Sequence, residues 1–66
     1  MQVIVNGQPR TLRDAATVLD LLQDMALIGK RVAVECNGSI VPRSAHGQHR
    51  LNAGDQLEVV VAVGGG

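Results

Sequence analysis

The sequence predicts an α+β fold in which one helix packs against one face of a small mixed sheet. Three observations indicate it: short runs rich in β-branched residues, two Asn-Gly pairs between such runs, and a single amphipathic segment in the first half. Asn-Gly is a strong signal for a two-residue hairpin turn. The 66 residues are enough for one domain with a small core. The expected element order is ββαββ, followed by a last strand.

The first hairpin is predicted at the amino end of the chain. Met1–Val5 is the first strand, Asn6-Gly7 is the turn, and Gln8–Leu12 is the return strand. Pro9 cannot donate a backbone hydrogen bond, so the return strand is expected at a sheet edge. Period-two alternation places three side chains on the inner face: Val3, Val5 and Leu12.

The helix is predicted to begin after Thr17. Thr17 is a good N-cap, and Asp20, three residues on, completes a pattern like a capping box. Gly29 is the expected stop of the helix. The apolar face recurs at helical spacing, in Val18, Leu21, Leu22 and Met25.

The second half of the chain predicts a second hairpin and a final strand. Val32–Cys36 and Ser39–Val41 flank the turn at Asn37-Gly38, and residues 43–50 form a polar, irregular stretch with one tight helical turn. Leu51 is expected to anchor that stretch in the core. The last strand, Gln56–Val63, is apolar on both faces, which is typical of a strand in the middle of a sheet. Its inward residues are expected to be Leu57, Val59 and Val61.

A right-handed crossover through the helix links the two hairpins. The first and last strands are therefore expected to lie side by side and parallel.

Composition excludes several classes of function. Six basic and six acidic residues give zero net charge, which argues against a nucleic-acid partner. No stretch has the length and hydropathy of a membrane span or a secretory signal, so we expect a cytoplasmic protein without a membrane partner. The single cysteine, Cys36, allows no internal disulfide, and no Cys/His cluster indicates a metal site.

The closing segment Val63–Gly66 carries the strongest functional signal. Glycine has no Cβ, so its backbone can enter a narrow slot in another protein. A terminal glycine would present its α-carboxylate there. We therefore expect a folded body over residues 1–63 and a flexible glycine tail over residues 64–66. The alternative from the residues alone is a frayed end.

Four segments together resemble the ThiS/MoaD family of sulfur carriers, which have the ubiquitin-like β-grasp fold. They are Thr17–Leu22, Val32–Gly38 with Ile40–Arg43, Gly54–Gln56, and Val63–Gly66. The resemblance covers essentially the whole chain, and its specificity lies in the combination. The third terminal glycine departs from the family pattern, which has two.

The resemblance implies a substrate carrier for thiamine biosynthesis, and not an enzyme. An E1-like adenylating enzyme (ThiF) would activate the carboxylate of Gly66 with ATP and Mg²⁺, which this chain itself would not bind. Sulfur derived from a cysteine desulfurase would convert it to a thiocarboxylate, and thiazole synthase (ThiG) would take the sulfur. Gly64 and Gly65 would thread into the partner's slot.

Other functions remain open at this stage. The small subunit of molybdopterin synthase and a carrier for tRNA thiolation would use the same chemistry. A ubiquitin-like protein modifier would instead be joined through Gly66 to lysines. A plain interaction module would carry an inert tail.

Several further residues have a structural and a functional interpretation. Val60, Ala62 and Val63 are predicted to form a partner interface, since no second helix is available to cover the outer face of the last strand. Cys36 is expected to be an apolar filler rather than a sulfur relay.

The polar and charged candidates are weaker. His46 and His49 are expected to belong to a polar loop rather than a metal site. A docking patch is a possibility for Arg10, Arg13, Lys30 and Arg31, and electrostatic recognition for Glu35, Asp55 and Glu58, although solvated surface is the default.

Overall fold

Five strands form one mixed sheet in the computed structural model, which describes residues 1–62. The strand order is β2-β1-β5-β3-β4. β1 and β5 are parallel, and the other neighbouring pairs are antiparallel. This is the predicted α+β, ubiquitin-like β-grasp roll, with the last strand in the centre. The elements are β1 (Gln2–Val5), β2 (Gln8–Thr11), α1 (Val18–Asp24), β3 (Val32–Cys36), β4 (Ser39–Val41), a 3₁₀ turn (Arg43–Ala45) and β5 (Gln56–Val61).

Both predicted hairpin turns are confirmed. Asn6 and Asn37 have φ of 51°, and the glycines that follow them have φ of 82° and 86°. Two successive positive φ values define the type I′ turn, whose twist matches that of the flanking strands. Pro9 lies on β2, at the edge of the sheet as expected.

The amino end of α1 is stabilised from two directions. The Thr17 hydroxyl accepts from the Asp20 amide at 3.2 Å, and the Asp20 carboxylate accepts from the Thr17 amide at 2.8 Å. This predicted capping box is confirmed. The next amides, of Val18 and Leu19, donate to the carbonyl oxygens of His49 and His46 at 3.0 and 2.9 Å. The loop before β5 therefore supplies acceptors that a lone helix would lack.

The predicted helix end at Gly29 is wrong. α1 ends at Asp24 in a Schellman motif: the Leu27 amide donates to the Leu22 carbonyl at 2.8 Å, and the Ala26 amide donates to the Gln23 carbonyl at 3.0 Å. This motif needs a left-handed residue, and Ala26 takes that role with φ of 59°. Gly29, with φ of 84°, belongs to the separate turn that leads into β3.

The core lies between α1 and the inner face of the sheet. Its buried apolar side chains include Val3, Val5, Leu12, Val18, Leu21, Leu22, Val34, Val41, Leu51, Leu57 and Val59. The predicted inward residues of β1 and α1 are confirmed, although Met25 is only partly buried. Val61 corrects the prediction for β5: it is 38% exposed, whereas Val59 is 6% exposed. The cover over the inner face therefore ends between these two residues.

The last strand is also shorter than predicted. β5 ends at Val61 rather than at residue 63. Residues 63–66 lie outside the described part of the chain, so the predicted boundary between a body at 1–63 and a tail at 64–66 stays a prediction. Within residues 1–62, no helix has the length and hydropathy needed to cross a membrane.

Candidate functional site

The root of the closing segment is the central strand of the sheet. β5 pairs with β3 over five residue positions, from Val32 opposite Val61 to Cys36 opposite Leu57. It pairs with β1 at two positions only, Ile4 with Gln56 and Val5 with Leu57. Beyond Leu57 the chain of β1 turns away at Asn6, so the second half of β5 has a strand on one side only.

Asn6 replaces the missing strand. Its side-chain oxygen accepts from the Val59 amide at 2.9 Å, and its side-chain nitrogen donates to the Val59 carbonyl at 3.1 Å. An amide group can satisfy both backbone groups of one residue in this way because it carries a donor and an acceptor. The Asn6 side chain thus continues the hydrogen bonding along this edge of β5 as far as Val59.

Asn37 binds the start of β5 from the opposite side. Its backbone amide donates to the Gln56 carbonyl at 2.7 Å, and its side-chain oxygen accepts from the Gln56 amide at 3.0 Å. Its side-chain nitrogen donates to the Asp55 carboxylate at 3.0 Å. The same carboxylate accepts from the Asn52 amide at 2.8 Å. Asp55, a candidate for recognition, is therefore engaged in holding a turn together.

The last hydrogen bond along the described chain fixes Ala62. Its amide donates to the Arg31 carbonyl, just before β3, at 2.9 Å. The chain is thus bound to the body as far as Ala62. The predicted thiocarboxylation residue Gly66, the threading residues Gly64 and Gly65, and the interface residue Val63 all lie outside the described residues.

The outer face of the sheet is apolar next to this root. Val60 is 61% exposed, Ala62 is exposed, and Ala33 lies opposite Val60 on β3. Their exposure agrees with the expectation that no helix covers this face, while their role as a partner interface stays a prediction. The sequence reasoning did not single out three further exposed apolar residues, Ile40 at 76%, Ile28 at 50% and Leu19 at 40%. The alternation of Ile40 with buried Val41 on β4 was the available signal for the first.

Two like charges face each other on the same outer face. Glu35 and Glu58 occupy directly opposite positions of the antiparallel β3–β5 pair, where like charges are unfavourable. Neither forms an ion pair within residues 1–62. The structure therefore brings together two of the three predicted acidic candidates.

The four predicted cationic residues do not form one patch. Arg10 pairs with Asp24 and Arg13 with Asp20, each at 2.8 Å, so both lie along α1. Lys30 and Arg31 instead line a groove together with Leu19 and Leu22, on another side of the helix. The pKa of Asp20 is held below its ordinary value of 3.8. The largest cause is the hydrogen bond from the Thr17 backbone, and the charge of Arg13 is a smaller one.

Cys36 is placed as a core residue. Its side chain is 7% exposed, and burial, followed by the charge of Asp55, raises the pKa of its thiol. A thiol reacts as its thiolate, so both effects oppose nucleophilic chemistry. The geometry supports the interpretation as an apolar filler.

His46 is buried, which the sequence reasoning did not anticipate. It is 6% exposed, and its Nε2 lies 3.1 Å from the Val41 carbonyl oxygen, to which it donates. This bond ties the 3₁₀ turn back to β4. Among residues 1–62, no three side chains of His, Cys, Asp or Glu are arranged to hold a metal ion.

Comparison with known proteins places these features in a family. The sequence profile of the ThiS family matches residues 3–66. The sulfur carrier protein ThiS of Escherichia coli K12 is 32% identical, with the full length of both chains covered. The crystal structure of the thiamine biosynthesis protein ThiS of Geobacter metallireducens superposes with a TM-score of 0.83 at 32% identity, again over all of both chains.

A longer relative is also similar. A thiazole synthase of Paramagnetospirillum magneticum is 41% identical over all 66 residues. The chain spans 20% of the length of that protein.

Proposed function

Because the chain belongs to the ThiS family, we propose that it is a sulfur carrier for thiazole formation in thiamine biosynthesis. Gly66 would carry the reacting carboxyl group, and Gly64 and Gly65, which have no side chains, would thread into the partner's slot. The observation that carries the proposal is the family match, which extends from residue 3 to Gly66 and so includes the glycines. The full-length match to the Escherichia coli sulfur carrier supports it.

The chemistry assigns all catalysis to partner proteins. A carboxylate resists nucleophiles because of its negative charge. Transfer of AMP from ATP to the Gly66 carboxylate would release pyrophosphate and give an acyl adenylate, in which the carboxyl group no longer carries its negative charge and AMP is a good leaving group. Displacement of AMP by the outer sulfur of a persulfide would then give an acyl disulfide. Attack of a thiol on the donor's sulfur would break the S–S bond, release the thiocarboxylate and leave a disulfide between the donor and that thiol. Mg²⁺ and cationic groups that neutralise the phosphates would belong to the adenylating enzyme.

The folded body supports this role by presentation. β5 is held by β3, by the Asn6 side chain and by Asn37, and its backbone remains bound to the body as far as Ala62. The four residues that follow can span at most about 14 Å when extended. A partner that reaches Gly66 must therefore approach closely to the end of the central strand.

We further propose three partners and a location. They are an E1-like adenylating enzyme of the ThiF type, a sulfur donor supplied by a cysteine desulfurase, and thiazole synthase. The similarity to a thiazole synthase of Paramagnetospirillum magneticum supports the last of these. The cytoplasm, where ATP is available, is the proposed location.

Intact mass spectrometry tests the proposal. The purified chain is incubated with the adenylating enzyme, ATP, Mg²⁺, a persulfide donor and a thiol reductant. Replacement of one oxygen by sulfur is the expected result. An unchanged mass would indicate an inert tail, and a ladder of conjugates would indicate a protein modifier. In cells, deletion of Gly65 and Gly66 should produce thiamine auxotrophy; loss of molybdenum-enzyme activity instead would assign the chain to molybdopterin synthesis.

A further inference from the structure

A groove of about 430 Å³ lies between the carboxyl end of α1 and the 3₁₀ turn. Its lining combines apolar side chains with cationic ones, among them Leu19, Leu22, Ile28, Lys30, Arg31 and Arg43. The groove lies on the helix side of the sheet. It is therefore separate from the outer-face surface around Val60 and Ala62.

Part of the groove's apolar lining is open to solvent. Leu19 is 40% exposed and Ile28 is 50% exposed. Gly47 borders the groove beside Leu19: a Cβ at position 47 would make an ordinary van der Waals contact, at 3.7 Å, with the Leu19 Cδ2 atom. Exposed apolar side chains that line a concavity are typical of a protein-binding surface. An apolar side chain of a partner would be shielded from water there.

The charge around the groove is of one sign. Lys30, Arg31 and Arg43 are exposed, and none forms an ion pair within residues 1–62. No Asp or Glu is among the lining residues. The other candidate cations, Arg10 and Arg13, are by contrast already paired with carboxylates. A groove with uncompensated positive charge attracts a negatively charged surface and repels a positive one.

The groove adjoins the end of the central strand. The carbonyl oxygen of Arg31, one of its lining residues, accepts a hydrogen bond from the Ala62 amide at 2.9 Å. Val32, also in the lining, pairs with Val61. An enzyme that receives the residues after Ala62 must come within their reach of about 14 Å. It therefore binds beside the end of β5, which the groove adjoins.

We propose that the groove is a docking site for an acidic segment of thiazole synthase that presents an apolar side chain between carboxylates. This inference rests on the proposed function. The apolar side chain packs on Leu19 and Ile28, and the carboxylates face Lys30, Arg31 and Arg43. Thiazole synthase is the assigned occupant because a relative unites a unit like this chain with that activity in one polypeptide.

Binding of purified thiazole synthase from the same organism, measured by calorimetry at two salt concentrations, tests this docking site. Two groove variants are compared with matched controls: Arg43→Glu with Arg50→Glu, and Ile28→Ser with Ile40→Ser. All four positions are exposed, so the variants should fold, as circular dichroism can verify. The groove variants should weaken binding at least roughly tenfold, with a shallower salt dependence for Arg43→Glu, while the controls stay within about twofold of the wild type.

Three results would overturn the docking site. One is wild-type affinity for thiazole synthase in both groove variants. Another is weakening that is equal in the controls. The third, from a parallel titration with the adenylating enzyme, is weakening with that enzyme alone. Thiocarboxylate formation on the wild-type chain, measured in parallel, separates the two proposals: if it occurs while the groove variants bind normally, only the docking site is wrong.

Discussion

The side-chain amide of Asn6 binds both backbone groups of Val59, which lies 53 residues further along the chain. Asn6 is also the first residue of a type I′ turn. One side chain thus joins the first hairpin to the last strand at the point where the β1–β5 ladder stops. The turn residue that favours the hairpin locally also fixes the strand that leads to the glycines.

We expect Asn6→Gly to destabilise the protein by about 1–3 kcal/mol, because two hydrogen bonds are lost while the positive φ remains accessible. Urea unfolding measures the change. Asn52→Gly is the control for unfolded-chain entropy, since the Asn52 side chain makes no hydrogen bond within residues 1–62. Destabilisation by Asn6→Gly that is smaller than that by Asn52→Gly would contradict the role of the Asn6 side chain.

Ala26→Gly should stabilise the protein by about 1 kcal/mol, because alanine is strained in the left-handed conformation that ends α1. Gly29→Ala should destabilise it by a similar amount: Gly29 also has a positive φ, and no atom within 4 Å would obstruct the new Cβ. The pair isolates backbone strain from packing. Thermal unfolding should shift the midpoint in opposite directions, and shifts of the same sign would contradict this account.

Asp20 should contribute an acid-sensitive part of the stability. Its folded-state pKa is held below 3.8, mainly by the Thr17 backbone amide, so the unfolded chain binds the proton more tightly. The contribution is fully present above the unfolded value and is lost as pH falls through the lower folded value. Asp20→Asn should therefore show a shallower loss of stability below about pH 4, measured by urea unfolding across pH. Thr17→Ser, which keeps a capping hydroxyl, should retain the steeper loss.

Cys36 should react slowly in the folded protein. Burial shields the thiol and raises its pKa, so modification by Ellman's reagent should follow the rate of unfolding and accelerate in urea. Cys36→Ala should form thiocarboxylate as fast as the wild type. Fast labelling of the native chain, together with loss of sulfur loading in Cys36→Ala, would instead indicate a relay.

Gly65→Val should block activation of Gly66, because a branched side chain would meet the walls of a slot shaped for glycine. The measurement is the exchange of labelled pyrophosphate into ATP by the adenylating enzyme, which requires an activatable carrier chain. The folded body should be unaffected, with the same unfolding midpoint as the wild type. Gly65→Ala, with a single methyl, should exchange pyrophosphate at a rate between those of the wild type and Gly65→Val. Normal exchange by Gly65→Val would refute the proposal that Gly66 enters through a narrow slot.

The features that the sequence predicted well are those determined by near neighbours. The two Asn-Gly turns, the Thr17–Asp20 capping box and the bounds of β3 depend on residues within a few positions of each other. The central place of β5 followed from an apolar run combined with one crossover helix.

The features that the sequence missed depend on tertiary packing. Ala26 is a poor choice for a left-handed position, yet the packing of Leu27 against the core ends the helix there, before the better candidate Gly29. Val61 continues the inward alternation of β5 but extends past the cover of the sheet. His46 is buried because the loop folds under the amino end of α1. The pairing of Asn6 with Val59 has no local signal at all.

The placement of β5 also has a mechanical consequence. A pull on the residues beyond Ala62, as when an enzyme draws them into its active site, acts along the axis of a strand at the middle of the sheet. The hydrogen bonds of the β3–β5 ladder lie across that axis, so they bear the load together in shear instead of opening one after another. The β3–β5 ladder should therefore resist a force that a partner applies along the axis of β5.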